Sequence, residues 1–437
     1  ITGIDAESIR RLAREFAAAD GAVCYGRMGV SVQRFGTLCQ WLIQLINVAT
    51  GNLDSRGGAL FTRPALDLIE GPTSKPGHFN AWQSRVSGRP EFSGELPVGC
   101  LAEEITTAGE GQIRAMITSA GNPVLSTPNG RQLDEALASL DFMVSIDIYL
   151  NETTRHADII LPPTCGLEHD HYDLIFHIFA VHNTAKYSQA LFDKPEGAMH
   201  DWEIFNALGE RIAEGLDRKF KPMGPPHKIV DLGLRIGPYG MRSLKWLNIK
   251  KLKKHPHGID LGPLEPSLPK RLQHKDKRIH CATPECLADL QRLDQELSQE
   301  LEQDQSSKQL KLIGRRHVRS NNSWMHNSQR LVKGKDRCQL LMHPSDVASQ
   351  GLSDGQSVKV SSKAGSITAT LLATEDMMPG VVSLPHGWGH NRKGIRMTVA
   401  QAHPGVSVND LTDTEFYDPL SSNAALNGVA VQVQAAG

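Results

Sequence analysis

The sequence lacks the features of a disulfide-bonded, membrane-spanning or nucleic-acid-binding protein. Its seven cysteines are odd in number, scattered over 437 residues and without a C-x-x-C pair, which argues against a disulfide framework, a zinc finger and a ferredoxin-type cluster. No run of about 18 apolar residues occurs, so no membrane span is predicted. Positive and negative side chains nearly cancel, with 47 Lys+Arg against 48 Asp+Glu, so no nucleic-acid partner is expected.

Two polar clusters resemble metal sites only in composition. Cys281 and Cys286, with His280 adjacent, are the closest cysteine pair, but their spacing matches no zinc motif and we assign them no role. The stretch 168–171 reads Glu-His-Asp-His, but adjacent side chains point apart and cannot all reach one ion. We therefore interpret it as a polar loop, and we predict no protein metal ligand in this chain.

Composition and length indicate a folded protein of ordinary kind. Hydrophobic residues make up 40% and charged residues 22% of the chain, and this length predicts about three domains. The chain begins with Ile1 rather than Met, and its first twenty residues show no signal peptide. We expect a cytoplasmic protein; a periplasmic one stays open because we infer that the N-terminal segment is missing.

The first half of the chain has the pattern of an α/β protein. Helices are predicted over 5–19, with Asp5 as N-cap, and over 37–49, with a short strand and a glycine loop between them. The clearest pattern consists of strands at 113–118, 142–146 and 158–161, with a turn at 121–123 and a helix at 131–140. Short strand–helix–strand connections predict a parallel sheet, whose ligand edge lies at the carboxyl ends of its strands. That edge would hold Gly121, Asn122 and Asp147.

The second half changes character twice. Prolines and lysines alternate after residue 220, and a polar helix is predicted over 284–304; we interpret 220–308 as a solvated connector, since no aromatic residues accompany the lysines as in a nucleic-acid-binding arm. From about 331, short alternating strands with Gly/Asp turns predict a small β-barrel, with strands at 357–361, 366–372, 381–384 and 429–433.

Several segments, each weak alone, are specific in combination. They lie at 25–29, 50–58, 120–123, 147–153, 157–162, 343–346, 351–355 and 409–412. In this order they resemble the molybdopterin-dependent oxidoreductases of the dimethyl-sulfoxide-reductase superfamily, which includes formate dehydrogenases and nitrate reductases. The resemblance covers most of the chain except about 220–308.

The resemblance implies a fold and a cofactor. The fold would be α/β, a Rossmann-like parallel sheet domain (1–219, partial), a connector (220–308) and a six-stranded double-psi β-barrel (309–437). The cofactor would be two molybdopterin guanine dinucleotides around one molybdenum or tungsten. Family members usually begin with a 4Fe-4S segment followed by the metal ligand, and neither is present here. We therefore expect a C-terminal portion of a longer enzyme, inactive alone, with a small-molecule substrate and an electron-transfer partner.

Three groups of candidate cofactor residues lie in the predicted sheet domain. Asp147 can accept hydrogen bonds from guanine, or cap a helix N-terminus, and Asn151 takes the family's second contact position. Asn122 matches a family cofactor contact, or forms an Asn-Pro turn. The glycine loop, which approaches a phosphate or makes a tight turn, contributes Gly26, Arg27, Gly29 and Gln33.

The remaining candidates belong to the predicted barrel domain. The stretch 314–324 falls where the family grips pyrophosphate and pterin, and arginine suits bidentate phosphate contacts; the alternative is a basic surface loop. Its candidates are Arg315, Arg316, Arg319, Ser320, Asn321 and Asn322. His386 lies in a His-Gly-Trp-Gly-His loop that we expect to face the cofactor, and Asn409 matches a family pterin or guanine contact.

We thus expect a two-electron oxidoreductase whose substrate the sequence does not reveal. Two alternatives stay open: a non-redox hydratase of the same fold, and a cofactor-free structural subunit of a respiratory complex.

Overall fold

The structure is a computed structural model that describes residues 2–70, 77–302 and 309–437. These residues form two compact units. Unit 1 contains 2–25, 42–70 and 161–281, and unit 2 contains 26–41, 77–160, 282–302 and 309–437. Across these described residues, we find no helix with the length and apolar character needed to cross a bilayer.

Helices and strands are numbered separately along the chain. The helices are α1 Ala6–Ala18, α2 Met28–Ser31, α3 Gly36–Ala49, α4 Leu101–Thr106, α5 Pro123–Ser126, α6 Gly130–Leu137, α7 Asp201–Gly215, α8 Pro226–Ile236, α9 Ile249–Lys253, α10 Pro284–Glu302, α11 Gln329–Val332, α12 Pro344–Ser349 and α13 Thr398–Ala402. The strands are β1 Phe79–Gln83, β2 Pro90–Phe92, β3 Ala115–Ser119, β4 Phe142–Ile146, β5 Ile159–Ile160, β6 His171–Tyr172, β7 Asn183–Ala185, β8 Tyr187–Ser188, β9 Ile259–Gly262, β10 Leu310–Arg315, β11 Gln339–Met342, β12 Ser357–Ser361, β13 Ser366–Ala373, β14 Val381–Pro385 and β15 Val429–Ala435.

Unit 1 begins as the sequence predicts and then departs from it. The Asp5 side chain accepts a hydrogen bond from the Ser8 N–H at 2.8 Å and caps α1. The strand predicted at 22–25 is wrong. The backbone there bonds to side chains instead: Asn47 accepts from the Cys24 N–H at 2.8 Å and donates to its carbonyl at 2.9 Å. The Asn47 side chain, which both accepts and donates, thus satisfies the backbone groups that a neighbouring strand would otherwise have to pair.

The solvated character predicted for the connector is wrong over 226–262. There α8, α9 and β9 contribute to the apolar core of unit 1, which also contains Ala185 and Tyr187. Val230 and Leu234 lie one helical turn apart on the buried side of α8, as an amphipathic helix requires. The lysines of this segment lie on the polar side of short helices and strands, whose apolar residues pack in one core.

The polar helix predicted at 284–304 forms as α10; positions 303 and 304 lie outside the described residues.

Unit 2 contains the predicted parallel sheet. Its strand order is β3-β4-β5, and all pairs are parallel, with Ala115 opposite Phe142 and Val144 opposite Ile159. Helices α4, α5 and α6 cover it through a core that includes Ile105, Val124, Leu133 and Leu137. The parallel sheet and the helices that cover it confirm the mixed α/β class read from the sequence.

Unit 2 also contains the predicted barrel. Six strands close in the order β10-β14-β11-β13-β12-β15, with β10–β14 and β11–β13 parallel. Alternate residues point inward, as in β12, where Val358 and Val360 are fully buried on either side of exposed Lys359. Strands β12 to β15 confirm the four predicted ones, while β10 and β11 were not predicted individually.

Candidate functional site

All the predicted cofactor residues lie in unit 2, and the first group lies at the carboxyl end of β4. The Asp147 carboxylate accepts from the backbone N–H groups of Ile148 at 2.7 Å and Tyr149 at 3.0 Å. This is an Asx turn rather than a helix N-cap. The second carboxylate oxygen is 3.4 Å from the Asn151 amide nitrogen. Burial raises the pKa of the Asp147 carboxyl, although both backbone hydrogen bonds oppose that shift.

The two neighbouring asparagines already have protein partners. The Asn151 oxygen accepts from the N–H groups of Thr153 and Thr154, both at 2.9 Å. The Asn122 amide donates to Glu152 at 2.7 Å, and its oxygen accepts from the Thr153 hydroxyl at 2.8 Å. Asn122 and Asn151 therefore hold the loops at the sheet edge together, and their contact with a cofactor stays a prediction.

A buried polar chain continues from this edge into the barrel loops. Glu152 is fully buried, and its other oxygen accepts from Nδ1 of His390 at 2.8 Å. Nε2 of His390 is 2.9 Å from Nδ1 of His326, and the His326 ring stacks on Trp388 with centroids 3.9 Å apart. Asn122, Glu152, His390 and His326 are named here the buried relay.

The relay ends on an unsatisfied nitrogen. Nε2 of His326 has no hydrogen-bond partner among the described residues, although the side chain is only 1% exposed. Burial, with the charge of His390, lowers the pKa of His326 to about 3, so its ring is neutral at pH 7. The Ser407 hydroxyl, beside Gly389, is likewise buried and without a partner in the described part of the chain. Buried polar atoms of this kind indicate that a ligand or water completes their hydrogen bonds.

The arginine-rich stretch divides between structure and surface. The Arg315 guanidinium donates to the carbonyls of Ser383 at 2.6 Å and Gln339 at 2.7 Å, which ties three barrel strands together. Arg316 donates to the Asn322 side-chain oxygen, and both residues are exposed. Arg319 is exposed as well, so Arg316 and Arg319 remain the candidates that can reach a phosphate.

The turn after Arg319 contacts the histidine loop. Ser320 is buried, whereas Asn321 and Asn322 are exposed and adopt left-handed backbone conformations, with φ of 42° and 60°. The Asn322 carbonyl lies against Gly387 so closely that a Cβ at Gly387 would overlap it. His386 is buried, and burial with the nearby Arg316 charge lowers its pKa to about 4.

Asn409 lies in the interior rather than on a surface. It is fully buried, and its amide donates to the Leu125 carbonyl at 2.7 Å while its oxygen accepts from Thr412 at 3.0 Å. It thus connects the last barrel loop to α5. A role for Asn409 in pterin or guanine contact stays a prediction.

The glycine loop borders a separate cavity of unit 2. A cavity of ≈ 450 Å³ is lined by Gly29, Gln33, Gly314 and Asn427, among others. A Cβ at Gly29 would meet no atom within 4 Å, so a ligand can approach that backbone closely. The Gln33 amide faces Cys39 Sγ at 3.1 Å and its oxygen accepts from the Phe35 N–H at 2.9 Å. Gly26 is half-buried and Arg27 exposed just before α2.

Sequence reasoning missed the centre of the site. Glu152, His390 and His326 were not proposed as site residues, although Glu152 lies in a family-like segment and His390 in the histidine loop. The signal that could have found them is Glu152, a charged residue in a segment that must be buried at the sheet edge. Because carboxylates are rarely fully buried without a partner, a cationic or hydrogen-bond-donating partner for this glutamate could have been predicted.

Two family models match the chain. The "Molydopterin dinucleotide binding domain" matches residues 310–430, and "Molybdopterin oxidoreductase" matches residues 18–211. The chain belongs to the molybdopterin oxidoreductases of the dimethyl-sulfoxide-reductase superfamily. This confirms the resemblance drawn from its motifs.

The similar proteins are longer than this chain. The F420-dependent formate dehydrogenase 2 subunit alpha of Methanococcus maripaludis is 25% identical over 99% of this chain and 61% of its own length. Trimethylamine-N-oxide reductase of Haemophilus influenzae is 20% identical over 99% of this chain and 57% of its own. The acetylene hydratase from Pelobacter acetylenicus superposes on 100% of this chain and 64% of its own, with a TM-score of 0.71 and 17% identity. The chain thus spans less than two thirds of these proteins.

Proposed function

We propose that this chain holds the cofactor in a bis-molybdopterin guanine dinucleotide oxidoreductase of the formate dehydrogenase/nitrate reductase type. The buried relay carries the proposal, because it joins four loops that the motifs predict to contact one cofactor. The names of the curated relatives, formate dehydrogenases and an N-oxide reductase, support the reaction class.

The residues fit a pterin dinucleotide in three ways. The open backbone at Gly29 suits a pyrophosphate. Exposed Arg316 and Arg319 supply cations for it. The unpartnered His326 Nε2 and Ser407 hydroxyl offer buried hydrogen-bonding atoms, which a pterin edge rich in donors and acceptors can satisfy.

Each of these groups then has a defined task. The bound cofactor supplies two-electron redox chemistry at its metal. Asp147 orients the guanine with its outer carboxylate oxygen, while its other oxygen stays on the backbone of its own loop. Glu152 keeps Asn122 and His390 in place, and neutral His386 and His326 add no charge beside the pterin. Double-psi barrel topology and an iron–sulfur segment in the longer enzyme belong to the same proposal.

Elemental analysis of the full-length enzyme tests the proposal. We expect one molybdenum or tungsten with about four phosphorus atoms, since each of two dinucleotides carries a pyrophosphate. Asp147→Ala should lower the metal content, because losing a charged hydrogen-bond acceptor costs about 1.5–3 kcal/mol, or roughly 10- to 100-fold in affinity. The matched control is Asp141→Ala, at the opposite, exposed end of β4.

The outcomes separate the alternatives. A well-folded enzyme without metal and phosphorus would identify a cofactor-free structural subunit instead. Turnover that needs no electron acceptor would identify a hydratase. If Asp147→Ala retains as much molybdenum as Asp141→Ala, the guanine role of Asp147 is wrong.

A further inference from the structure

A second cluster of metal-ligating side chains lies in unit 1. His274, Asp276 and His280 each offer one ligand atom, and the three atoms lie within 4.8 Å of one another. Nε2 of His280 is 2.9 Å from the Asp276 carboxylate, and the two imidazole rings have centroids 4.0 Å apart. All three residues are exposed. A turn at 274–276 brings the three side chains together, although two and four residues separate them along the chain.

Contacts before the turn and within it anchor the loop that carries the cluster. Before it, the Arg271 side chain, 11% exposed, forms an ion pair with Asp67 at 2.9 Å. Within it, Lys277 adopts a left-handed conformation with φ of 53°, and its N–H donates to the His274 carbonyl at 3.1 Å. The Lys277 ammonium group donates back to the Lys270 carbonyl at 3.1 Å. The loop backbone thus has anchors besides the three candidate ligand side chains.

The hydrogen bonds leave ligand atoms in the right chemical form. Nδ1 of His274 is 3.2 Å from the Arg278 carbonyl, and since a carbonyl only accepts, the proton lies on Nδ1 and Nε2 keeps its lone pair. A ligating histidine typically donates its other N–H to a carbonyl in this way. One Asp276 oxygen accepts from the Arg278 N–H at 3.1 Å, and the other lies 2.9 Å from Nε2 of His280, a hydrogen bond that a shared ion would replace.

The donor set selects the ion. Two imidazoles and one carboxylate suit Zn²⁺, whereas Mg²⁺ and Ca²⁺ require mainly oxygen ligands. Tetrahedral Zn²⁺ places its ligands roughly 3.3 Å apart, so the exposed side chains need to close by at most about 1.5 Å, which rotation of their own torsions allows. We propose that His274, Asp276 and His280 bind one Zn²⁺ and leave its fourth position to water. This proposal is independent of the molybdopterin function.

Calorimetric titration of the chelator-treated, desalted full chain tests the site. ZnCl₂ should bind in one equivalent with a dissociation constant of about 10 μM or tighter, and MgCl₂ should give no heat of binding. His274→Ala, His280→Ala and Asp276→Asn should each weaken the binding of Zn²⁺ at least about tenfold. The matched control is His182→Ala, because His182 contacts Asp260 at 2.7 Å in a pair that is also exposed, and no third ligand joins that pair within the described residues.

Co²⁺ substitution distinguishes this site from binding at a cysteine. The Co²⁺ form should show ligand-field bands without a thiolate charge-transfer band, and circular dichroism should show each variant folded. The proposal would be overturned if Zn²⁺ gave no one-equivalent isotherm or if the Co²⁺ form showed a thiolate band. Equal loss of binding in His182→Ala and His274→Ala would overturn it as well.

Discussion

The buried relay should contribute more to stability than any surface group of unit 2. Glu152 is fully buried and accepts hydrogen bonds from Asn122 at 2.7 Å and His390 at 2.8 Å. Glu152→Ala leaves both donors buried without an acceptor, at about 1–3 kcal/mol each, and adds a cavity. Two unpaired donors at that cost give an expected loss of about 2–6 kcal/mol.

Urea unfolding followed by tryptophan fluorescence measures the effect, because Trp388 stacks on His326 at the end of the relay. Glu152→Gln preserves the shape and one acceptor, so it should cost less, about 1–2 kcal/mol. Glu135 is an exposed position of α6 in the same unit, and Glu135→Ala should change stability by less than about 0.5 kcal/mol.

The order of these variants tests the reasoning. If Glu152→Ala unfolds within about 1 kcal/mol of Glu135→Ala, the relay does not stabilise unit 2 as argued. Equal losses for Glu152→Ala and Glu152→Gln would show that charge, rather than the number of unpaired donors, controls the effect.

Two further predictions concern the loops around the relay. Gly387→Ala should destabilise unit 2 by at least about 2 kcal/mol, since Gly387 has φ of 90° and its Cβ would overlap the Asn322 carbonyl; Gly29→Ala, in open space, is the control, and equal urea midpoints would contradict the prediction. Because the pKa of Asp147 is raised in the folded protein, its contribution to stability is fully present below its ordinary pKa of 3.8 and is lost as pH rises through the folded pKa. Stability of the wild type relative to Asp147→Asn should therefore fall with rising pH in urea titrations, and a constant difference would refute it.

Much of the fold was predictable because its signals are local. Apolar residues spaced for one helix face predicted α1, α3 and α6, and period-two alternation predicted β12 and β13. The parallel sheet followed from short connections between β3, β4 and β5. Failures occurred where a long-range partner overrode local pattern, as at 22–25, where Asn47 replaces a neighbouring strand.

The candidate site shows the same division. The sequence by itself determined that Asn122 and Asp147 lie at the carboxyl edge of the sheet, because parallel strands share their carboxyl ends. Only the tertiary structure decided that Glu152 meets His390 across 238 residues of sequence. Local pattern specifies which face or edge a residue occupies, whereas the pairing of two buried polar groups depends on how the barrel loops pack on the sheet edge, where each buried donor must find an acceptor.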